Sequence, residues 1–187
     1  MDVSIVIPAK NEAGNIAQCL DAVLRQETPF TYEIIVIDSG STDNTIDIIK
    51  RYPSVQLVQI KPEEFGHGKT RNLGAEMAKG DYIVFLNADA VPINNNWLTN
   101  LIRPLKEIQN LAGVFSRHIP NDDCFLYMMR DLQASMPDKR FLRTQAGKMD
   151  FMLFSTVSAA IAKVTWEEFP FDDNIIIAEG QDWANKV

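Results

Sequence analysis

Two hydrophobic periods alternate along the chain. Short runs of consecutive apolar residues predict buried strands, and apolar positions three and four apart predict amphipathic helices. The runs predict strands at Val3–Ile7, Ile34–Ile37, Val55–Ile60, Tyr82–Leu86, Leu111–Phe115, Phe151–Phe154 and Val157–Ala162. The stripes predict helices at Ile16–Leu24, Ile46–Ile49, Leu73–Met77, Leu98–Ile108 and Phe125–Leu132. This alternation predicts an α/β fold with a mostly parallel, Rossmann-like sheet flanked by helices.

Local signals predict where three of these helices begin, end or bend. Ser41, Thr42 and Asp43 are residue types that cap helix N-termini, so they are expected to cap the second helix. Gly80 is expected to end the third helix, because glycine readily adopts the left-handed conformation that often follows a helix. Pro104 is expected to kink or split the fourth helix, because it removes a backbone hydrogen bond.

The composition is that of one ordinary globular domain. The chain has 187 residues, of which 46% are hydrophobic and 23% are charged, which is enough for a sizeable core. Its net charge of -7 argues against non-specific binding to nucleic acid. A local basic patch at His67, Lys69 and Arg71 is left open, but nucleic acid is not an expected partner.

The cysteines predict neither a disulfide framework nor a zinc site, because Cys19 and Cys124 lie far apart and form no CxxC pair. Cys19 falls on the apolar face of a predicted helix and is expected in the core. No apolar run approaches the ~20 residues that a membrane-spanning helix needs, and the N-terminus lacks the pattern of a signal peptide. The expected location is therefore the cytoplasm.

Polar and small residues follow three of the predicted strands. Pro8 is followed by Ala-Lys-Asn-Glu, Asp38 is followed by Ser-Gly-Ser-Thr-Asp, and Asp89 is preceded by Asn-Ala. Right-handed crossovers bring the carboxyl ends of parallel strands to one edge of a sheet, which is where open α/β sheets bind ligands. Pro8, Asp38 and Asp89 are therefore expected to line one site.

Asp89 is the candidate metal ligand. Mg²⁺ and Mn²⁺ prefer oxygen ligands, and a single carboxylate at a strand end leaves positions open for phosphate oxygens. The alternative is that Asp89 only hydrogen-bonds the following turn or caps the helix near Trp97, since aspartate is common in turns.

Asp38 is a candidate ligand for a nucleoside, because its carboxylate can accept hydrogen bonds from a base or a ribose. A carboxylate at a buried sheet edge needs such a partner. Asp43, five residues later, has a simpler alternative role as a helix N-cap.

The segment Gly66–Asn72 carries three cationic side chains ahead of a predicted helix. It does not have the spacing of a phosphate-binding P-loop, because Glu63 occupies the place of the first glycine. Cations beside a helix N-terminus still suit an anion, and a solvated helix start is the alternative.

Asp182 is a candidate general base. It follows the apolar run Ile175–Ala178 and the residues Glu-Gly-Gln, at the predicted start of a helix. The alternative is an acid that only favours the helix dipole.

Taken together, these segments resemble a family-2 glycosyltransferase with the GT-A fold. The matching stretches are Val3-Ser-Ile-Val-Ile-Pro8-Ala-Lys-Asn11-Glu12, Ile35-Val-Ile-Asp38-Ser-Gly-Ser-Thr-Asp43, Lys69-Thr-Arg71-Asn72-Leu-Gly74-Ala, Phe85-Leu-Asn87-Ala-Asp89 and Gly180-Gln-Asp182. Three further stretches are similar to the rhamnosyltransferase-like branch: Phe65-Gly-His-Gly-Lys-Thr-Arg71-Asn72, Arg117-His-Ile-Pro120 and Gln181-Asp182-Trp183-Ala. The resemblance implies one GT-A domain over 1–187, with a nucleotide-sugar-binding half at 1–120 and a partial acceptor-side half at 121–187.

The resemblance also implies roles for single residues. It places the nucleotide-sugar pocket at Pro8, Ala9, Asn11, Glu12, Asp38, Ser39, Gly40, Arg71, Asn87 and Ala88. Within this pocket Asp38 would hold the nucleoside base and Arg71 would lie near the donor. Asp89 matches the metal-binding aspartate of the DxD motif, and Asp182 matches the catalytic base. Two positions depart from the pattern: Asn87 stands at the first DxD position, and Gln181 stands where many relatives have Glu.

The implied reaction is inverting transfer of a hexosyl or deoxyhexosyl group from a nucleotide-diphosphate sugar to a saccharide or a lipid-linked saccharide. It would require Mg²⁺ or Mn²⁺ and would serve cell-surface polysaccharide synthesis. Peripheral association at the inner face of the membrane is an open alternative for the location, and the oligomeric state is open. Because Asp182 lies close to Val187 in an unfinished helical pattern, the acceptor side is expected to be truncated, with weak transfer as a result.

Two other classes compete with a glycosyltransferase. A sugar-1-phosphate nucleotidyltransferase usually has an N-terminal glycine-rich loop with an arginine, whereas Val3–Asn15 offers only Gly14. A non-catalytic nucleotide-sugar-binding module would not need both Asp89 and Asp182. An NAD-dependent oxidoreductase is disfavoured because no G-x-G-x-x-G motif follows a strand.

Overall fold

The computed structural model describes residues 1–120 and 154–187, together with residues 124, 125, 130, 132, 136 and 142. The chain divides into two compact units, one formed by Met1–Phe115 with Leu153–Val187 and the other by Ser116–Met152. Every residue of the candidate site lies in the first unit. The division into halves at residue 120 stays a prediction. The predicted helix at 125–132 and strand at 151–154 fall, apart from single residues, outside the described part.

Six strands and six α-helices make up the described part of the chain. The strands are β1 Val3–Ala9, β2 Tyr32–Asp38, β3 Val55–Gln59, β4 Tyr82–Leu86, β5 Gly113–Phe115 and β6 Ser158–Ala162. The helices are α1 Ile16–Leu24, α2 Thr45–Ile49, α3 His67–Met77, α4 Trp97–Glu107, α5 Lys163–Glu168 and α6 Glu179–Lys186, with a 3₁₀ turn at Pro62–Glu64. None of these described helices is long and apolar enough to cross a membrane.

The strands form one sheet in the order β3-β2-β1-β4-β6-β5. Strands β1 to β4 pair in parallel, and β6 runs antiparallel to both of its neighbours. This is the mostly parallel, helix-flanked sheet that the sequence predicts. The consecutive apolar residues of β1, β2 and β4 are explained by burial on both faces.

Each face of the sheet carries its own buried cluster. On one face α1 and α4 contribute Leu20 and Leu98, which lie in the same cluster as Ile5 of β1. On the other face Ala75 of α3 and Trp183 of α6 share a cluster with Val6. Cys19 is fully buried in the first cluster, as predicted. The strand ends are therefore held from both sides by packed helices.

Several predicted helix boundaries are wrong. Helix α3 begins at His67, so much of the cationic segment lies inside the helix. The helix ends at Met77, with Ala78 at the C-cap position. Gly80 is instead needed for close packing, because a Cβ there would lie 2.6 Å from the backbone of Val3. Helix α4 continues through Pro104 to Glu107 and is not split.

Candidate functional site

The carboxyl ends of β1, β2 and β4 meet at one edge of the sheet. In the parallel register Ala9 lies opposite Asp38, and Val6 lies opposite Phe85 on the other side of β1. The segment that contains Asp89 therefore leaves the sheet beside the end of β1. The predicted convergence of these three strand ends is confirmed, whereas the roles of the individual residues stay predictions.

The loops after β1 and β2 are joined by side-chain hydrogen bonds. The Asn11 backbone N–H donates to Ser41 Oγ at 2.8 Å, and Asn11 Oδ1 accepts from the Thr42 N–H at 2.8 Å. The Glu12 N–H donates to Thr45 Oγ1 at 2.7 Å. Asn11 adopts a left-handed conformation with φ 56°, which asparagine tolerates better than most residues. The two loops thus form one bonded unit, which we call the β1–β2 clasp (residues 9–13 and 38–45).

Asp38 is buried inside this clasp. Its carboxylate accepts hydrogen bonds from the backbone N–H groups of Gly40 at 3.1 Å and Ser41 at 3.0 Å, and from the Ser41 hydroxyl. Ser39 donates to the Ala9 carbonyl through its backbone N–H at 3.0 Å and its hydroxyl at 3.2 Å. The partner that a buried carboxylate requires is therefore supplied by the turn itself.

Gly40 cannot be replaced by a larger residue without movement. Its φ is +82°, and a Cβ there would lie 2.6 Å from Cγ of Pro62. Glycine alone suits both the left-handed conformation and the close approach of the 3₁₀ turn. The sequence Asp38-Ser-Gly therefore specifies the shape of the loop as well as its chemistry.

Asp43 does not cap α2 as predicted, because the N-cap position is Asn44, whose side chain makes no capping bond. The Asp43 carboxylate instead accepts from Thr45, through its backbone N–H at 3.0 Å and its hydroxyl at 2.5 Å, and from the Ala13 N–H at 3.1 Å. The hydrogen bond from the Thr45 hydroxyl is the main reason that the pKa of Asp43 is lowered. Asp43 thus belongs to the clasp.

The segment after β4 is open by contrast. Asp89 is exposed, and within the described part of the chain its carboxylate makes no hydrogen bond or ion pair. Helix α4 has Asn96 at its N-cap position, so the alternative role of Asp89 as the cap near Trp97 is wrong. Ala88 is buried beneath it. Asp89 is available to an external ligand.

A buried thiol lies under this segment. The Cys19 Sγ lies 3.9 Å from the Asn87 carbonyl oxygen. Burial, together with the charges of Asp89 and Glu12, raises the pKa of Cys19 to about 12. The pKa of Cys19 therefore depends on an acid at the β4 end and on an acid in the β1 loop.

Arg71 is buried and is not part of a surface basic patch, because its side chain is only 4% exposed. Its Nη2 donates to Asn87 Oδ1 at 2.9 Å, and its Nη1 donates to the His67 carbonyl at 3.1 Å. Nη1 also lies 3.1 Å from Oε1 of Glu179, whose side chain is 8% exposed. Burial lowers the pKa of Arg71, and the charge of Glu179 opposes this shift. His67 and Lys69 remain exposed on the first turn of α3.

Asp182 lies on α6 and is partly buried. Its Oδ2 lies 2.5 Å from Nζ of Lys186, one helical turn later, and the same ammonium lies 3.8 Å from Asp172. The pairing with Asp182 raises the pKa of Lys186. The ammonium of Lys186 therefore engages one of the two carboxylate oxygens of Asp182.

The open segment fits a hard cation only in combination with a ligand. The described residues contain no cluster of three or more His, Cys, Asp or Glu side chains able to hold a metal. The Asn87 amide oxygen is engaged by Arg71, so the unengaged side-chain oxygens of Asn87-Ala-Asp89 are those of the Asp89 carboxylate. Mg²⁺ commonly binds through one or two carboxylates, with phosphate oxygens and waters completing the shell. The donor set therefore fits a cation that arrives with a diphosphate.

Reasoning from the sequence missed Glu179 and Thr156. Glu179 accepts a hydrogen bond from the Thr156 hydroxyl at 2.8 Å and pairs with Arg71. The sequence shows Glu179 only as an acid that follows an apolar run and begins a helix. Such a position does not predict that the side chain is buried.

Comparisons with known proteins place these features in a family. The chain matches the family model for glycosyl transferase family 2 over residues 4–166. It is 29% identical over 195 residues to the O-antigen chain rhamnosyltransferase RfbN of Salmonella typhimurium, covering 100% of this chain and 61% of the relative. It is 36% identical over 100 residues to the O-antigen chain rhamnosyltransferase WbaN of Salmonella anatum, covering 53% of this chain and 31% of the relative. The similarity to the rhamnosyltransferase-like branch is thus confirmed.

A solved structure shows the same fold. The mannosyltransferase PcManGT from Pyrobaculum calidifontis, in complex with GDP-Man and Mn²⁺, superposes with a TM-score of 0.73 at 22% identity. The match covers 98% of this chain and 51% of the mannosyltransferase. The chain therefore spans about half to three fifths of the length of RfbN and PcManGT. With its GT-A fold and its family match over most of its length, this chain belongs to glycosyl transferase family 2.

Proposed function

We propose that this chain carries the donor-binding part of an inverting glycosyltransferase. It moves a hexosyl or deoxyhexosyl group from a nucleoside-diphosphate sugar to a hydroxyl of a saccharide or a lipid-linked saccharide. The observation that carries the proposal is the single open carboxylate of Asp89 next to the closed β1–β2 clasp. The names of the O-antigen relatives support a place in cell-surface polysaccharide synthesis. The cytoplasm, with the inner face of the membrane as an alternative, stays our prediction for the location.

The β1–β2 clasp is proposed to receive the nucleoside. Its exposed surface is formed by backbone and side chains that are already hydrogen-bonded, so it is rigid before the ligand arrives. Asp38 holds this surface from inside the loop. Pro8, Asn11, Glu12 and Gly40 would form the surrounding wall, with the buried residues Ala9 and Ser39 behind them. A rigid wall reduces the entropy lost on binding.

The β4 end is proposed to receive the diphosphate. Asp89 would hold Mg²⁺ or Mn²⁺, with Asn87 and Ala88 beside it and Arg71 beneath. A bound divalent cation would neutralise the charge that develops on the leaving diphosphate. The residues of this chain contribute one open carboxylate, next to Asn87, which the Arg71 guanidinium holds in place.

Asp182 is proposed to act as the general base. Its carboxylate would take the proton of the acceptor hydroxyl while the hydroxyl oxygen forms a bond to the anomeric carbon. The bond from that carbon to the diphosphate oxygen would break on the opposite face, so the configuration inverts and no covalent enzyme intermediate is needed. Lys186 engages Oδ2 at 2.5 Å, so the proton would go to Oδ1, or Lys186 would first move away.

A second candidate is supported by the same ion pairs. Within the described residues after 153, Glu179 and Asp182 are both paired with cations, which is the state expected of a nucleotide-sugar-binding module without a free base. Membership of the family favours glycosyl transfer over this module and over a sugar-1-phosphate nucleotidyltransferase.

Donor hydrolysis separates the two candidates. Thermal-shift screening of UDP, GDP and dTDP, each with and without Mn²⁺, identifies the nucleotide, because a ligand that binds only the folded state raises the apparent stability. Hydrolysis of the matching sugar nucleotides is then measured with Mn²⁺. The transferase proposal predicts Mn²⁺-dependent hydrolysis that Asp182→Asn slows. Tight binding without turnover would instead identify a binding module.

A further inference from the structure

Three elements of the fold meet at one buried guanidinium. Arg71 of α3 contacts Asn87 after β4 and Glu179 at the first position of α6. Glu179 is held in addition by the Thr156 hydroxyl. The contacts of Glu179 with Arg71 and Thr156 are buried and the contact of Arg71 with Asn87 is partly buried, and an ion pair supported by hydrogen bonds in such surroundings is sensitive to geometry.

The start of α6 is also conformationally demanding. Ala178 adopts a left-handed conformation with φ 68°, which is unfavourable for a residue with a Cβ. It is preceded by Ile176 and Ile177, which are each 80% exposed and give the segment little apolar packing. Gly180 approaches so closely that a Cβ there would lie 2.5 Å from the Phe154 carbonyl oxygen. The preceding segment supplies little burial, so the start of this helix is held by the Glu179 contacts together with the buried Trp183, whose Nε1 donates to the Phe169 carbonyl at 2.7 Å.

We propose that Glu179 is a positioning residue that sets the location of α6 relative to the β4 end, through Arg71 and Asn87. The inference rests on the proposed function, since it concerns the helix that carries the proposed base and the segment that carries Asp89. Glu179 would touch neither donor nor acceptor. It would hold the first turn of α6, including Asp182, at a fixed distance from the diphosphate site.

A positioning role makes a different prediction from simple charge neutralisation. Glu179→Gln keeps the shape of the side chain but leaves the Arg71 charge without its carboxylate partner. Asn87→Asp places a new carboxylate on the other side of the same guanidinium, where Nη2 now donates at 2.9 Å. The double variant therefore restores the buried charge pair without restoring the link to α6.

The test measures melting temperature, donor hydrolysis and amide exchange in four proteins: wild type, Glu179→Gln, Asn87→Asp and the double variant. We expect Glu179→Gln to lower kcat about tenfold to a hundredfold, with less than about a threefold change in the donor KM, because small misplacements of reacting groups have effects of this size. In the double variant the melting temperature should recover while kcat stays low relative to Asn87→Asp alone. Recovery of both would overturn the positioning role.

Amide exchange tests the inference without reference to activity. The backbone N–H groups of Gln181 and Asp182 both donate to the Ala178 carbonyl at 3.1 Å, in the first turn of α6. They should exchange about tenfold faster in Glu179→Gln and in the double variant, at a temperature where all four proteins are folded. Unchanged exchange at these two amides would overturn the inference, whatever the hydrolysis assay shows. Absence of hydrolysis in the wild type would count against the proposed function alone.

Two further variants complete the design. Thr156→Val removes the second contact of Glu179 and keeps the ion pair. It should lower kcat and speed exchange at the α6 amides in the same way as Glu179→Gln, but by less. This variant replaces Glu179→Gln if the Glu179→Gln protein does not fold. Glu33→Gln is the matched control, because Glu33 is a partly buried acid that pairs with Lys79 at 3.9 Å and accepts from Ser4, near the opposite ends of the strands. It should leave kcat and the α6 amides unchanged.

Discussion

The β1–β2 clasp and the β4 end lie side by side on the same sheet edge, yet they use acids in opposite ways. In the clasp, Asp38 and Asp43 are bonded to backbone N–H groups of their own loops. At the β4 end, Asp89 is exposed and has no such bond within the described residues, while its neighbour Asn87 is bound to Arg71. The carboxylates of the clasp stabilise its own loops, whereas the Asp89 carboxylate at the β4 end is available to a ligand.

This difference separates acids that shape a site from acids that act in it. A carboxylate with several internal donors is expected to affect stability first and binding second, because its removal leaves buried N–H groups unsatisfied. A carboxylate without internal partners is expected to affect ligand binding and leave stability unchanged. The following variants test this contrast, from the largest expected effect to the smallest.

Asp182→Asn should have the largest effect on transfer. Loss of a general base typically slows a reaction by ~10²–10⁴. Donor affinity should change little, because α6 keeps its Glu179 anchor, and kcat is measured beside a calorimetric titration with donor nucleotide. Lys186→Met is the informative companion, since it frees Asp182 from its pair. Near-normal transfer by Asp182→Asn would assign Asp182 to its alternative role at the helix start.

Asp38→Ala should destabilise the chain by about 2–4 kcal/mol, since three hydrogen bonds to one buried charge are lost. Nucleotide binding should weaken as well, with and without Mn²⁺, because the clasp loses its shape. Chemical denaturation gives the free energy of unfolding, and Glu168→Gln serves as an exposed acid control. A variant with normal stability but lost binding would show that Asp38 contacts the nucleoside and is not primarily structural.

Cys19 provides the smallest and most selective test. Its pKa of about 12 lies above the ordinary thiol value of 9.0, so the folded state holds the proton more tightly than the unfolded state. The stability that follows from this is fully present below about pH 9 and is lost between about pH 9 and about pH 12. The free-energy difference between wild type and Cys19→Ala should therefore shrink by about 1 kcal/mol between pH 9 and about pH 10.

Asp89→Asn should leave the change between pH 9 and about pH 10 almost unaltered and lower the upper end of the range over which this stability is lost, near about pH 12, because the Asp89 charge contributes to the raised pKa of Cys19. The measurement is chemical denaturation at each pH in the wild-type and Asp89→Asn backgrounds, with and without Cys19→Ala. An identical pH dependence in both backgrounds would mean that the β4 end and the thiol beneath it are electrostatically independent.

The strand framework and the strand-end acids were predictable because they depend on local patterns. Runs such as Ile34–Ile37 and the small residues after Asp38 specify a buried strand and a tight turn without reference to the rest of the chain. Parallel order then brings such ends together. The predicted convergence of Pro8, Asp38 and Asp89 followed from these two facts.

The internal partners of the acids were not predictable, because they join distant segments. Arg71 and Glu179 form an ion pair although more than half of the chain separates them in sequence. Neither local sequence indicates that the other residue is its partner. The capping signal of Asp43 was misjudged for a similar reason, since the Ala13 N–H competes for its carboxylate from another loop. In both cases a contact between distant segments determined the partner of the acid, and the local sequence preference did not.

The most direct test of the contrast between the two regions is calorimetric titration of the matching nucleoside diphosphate with and without Mn²⁺, in wild type, Asp89→Asn and Asp38→Asn. The account predicts that Asp89→Asn removes the gain in affinity that Mn²⁺ gives the wild type and leaves the melting temperature unchanged. It predicts that Asp38→Asn lowers the melting temperature and keeps a Mn²⁺-dependent gain. Undiminished Mn²⁺-enhanced binding by Asp89→Asn would contradict the account.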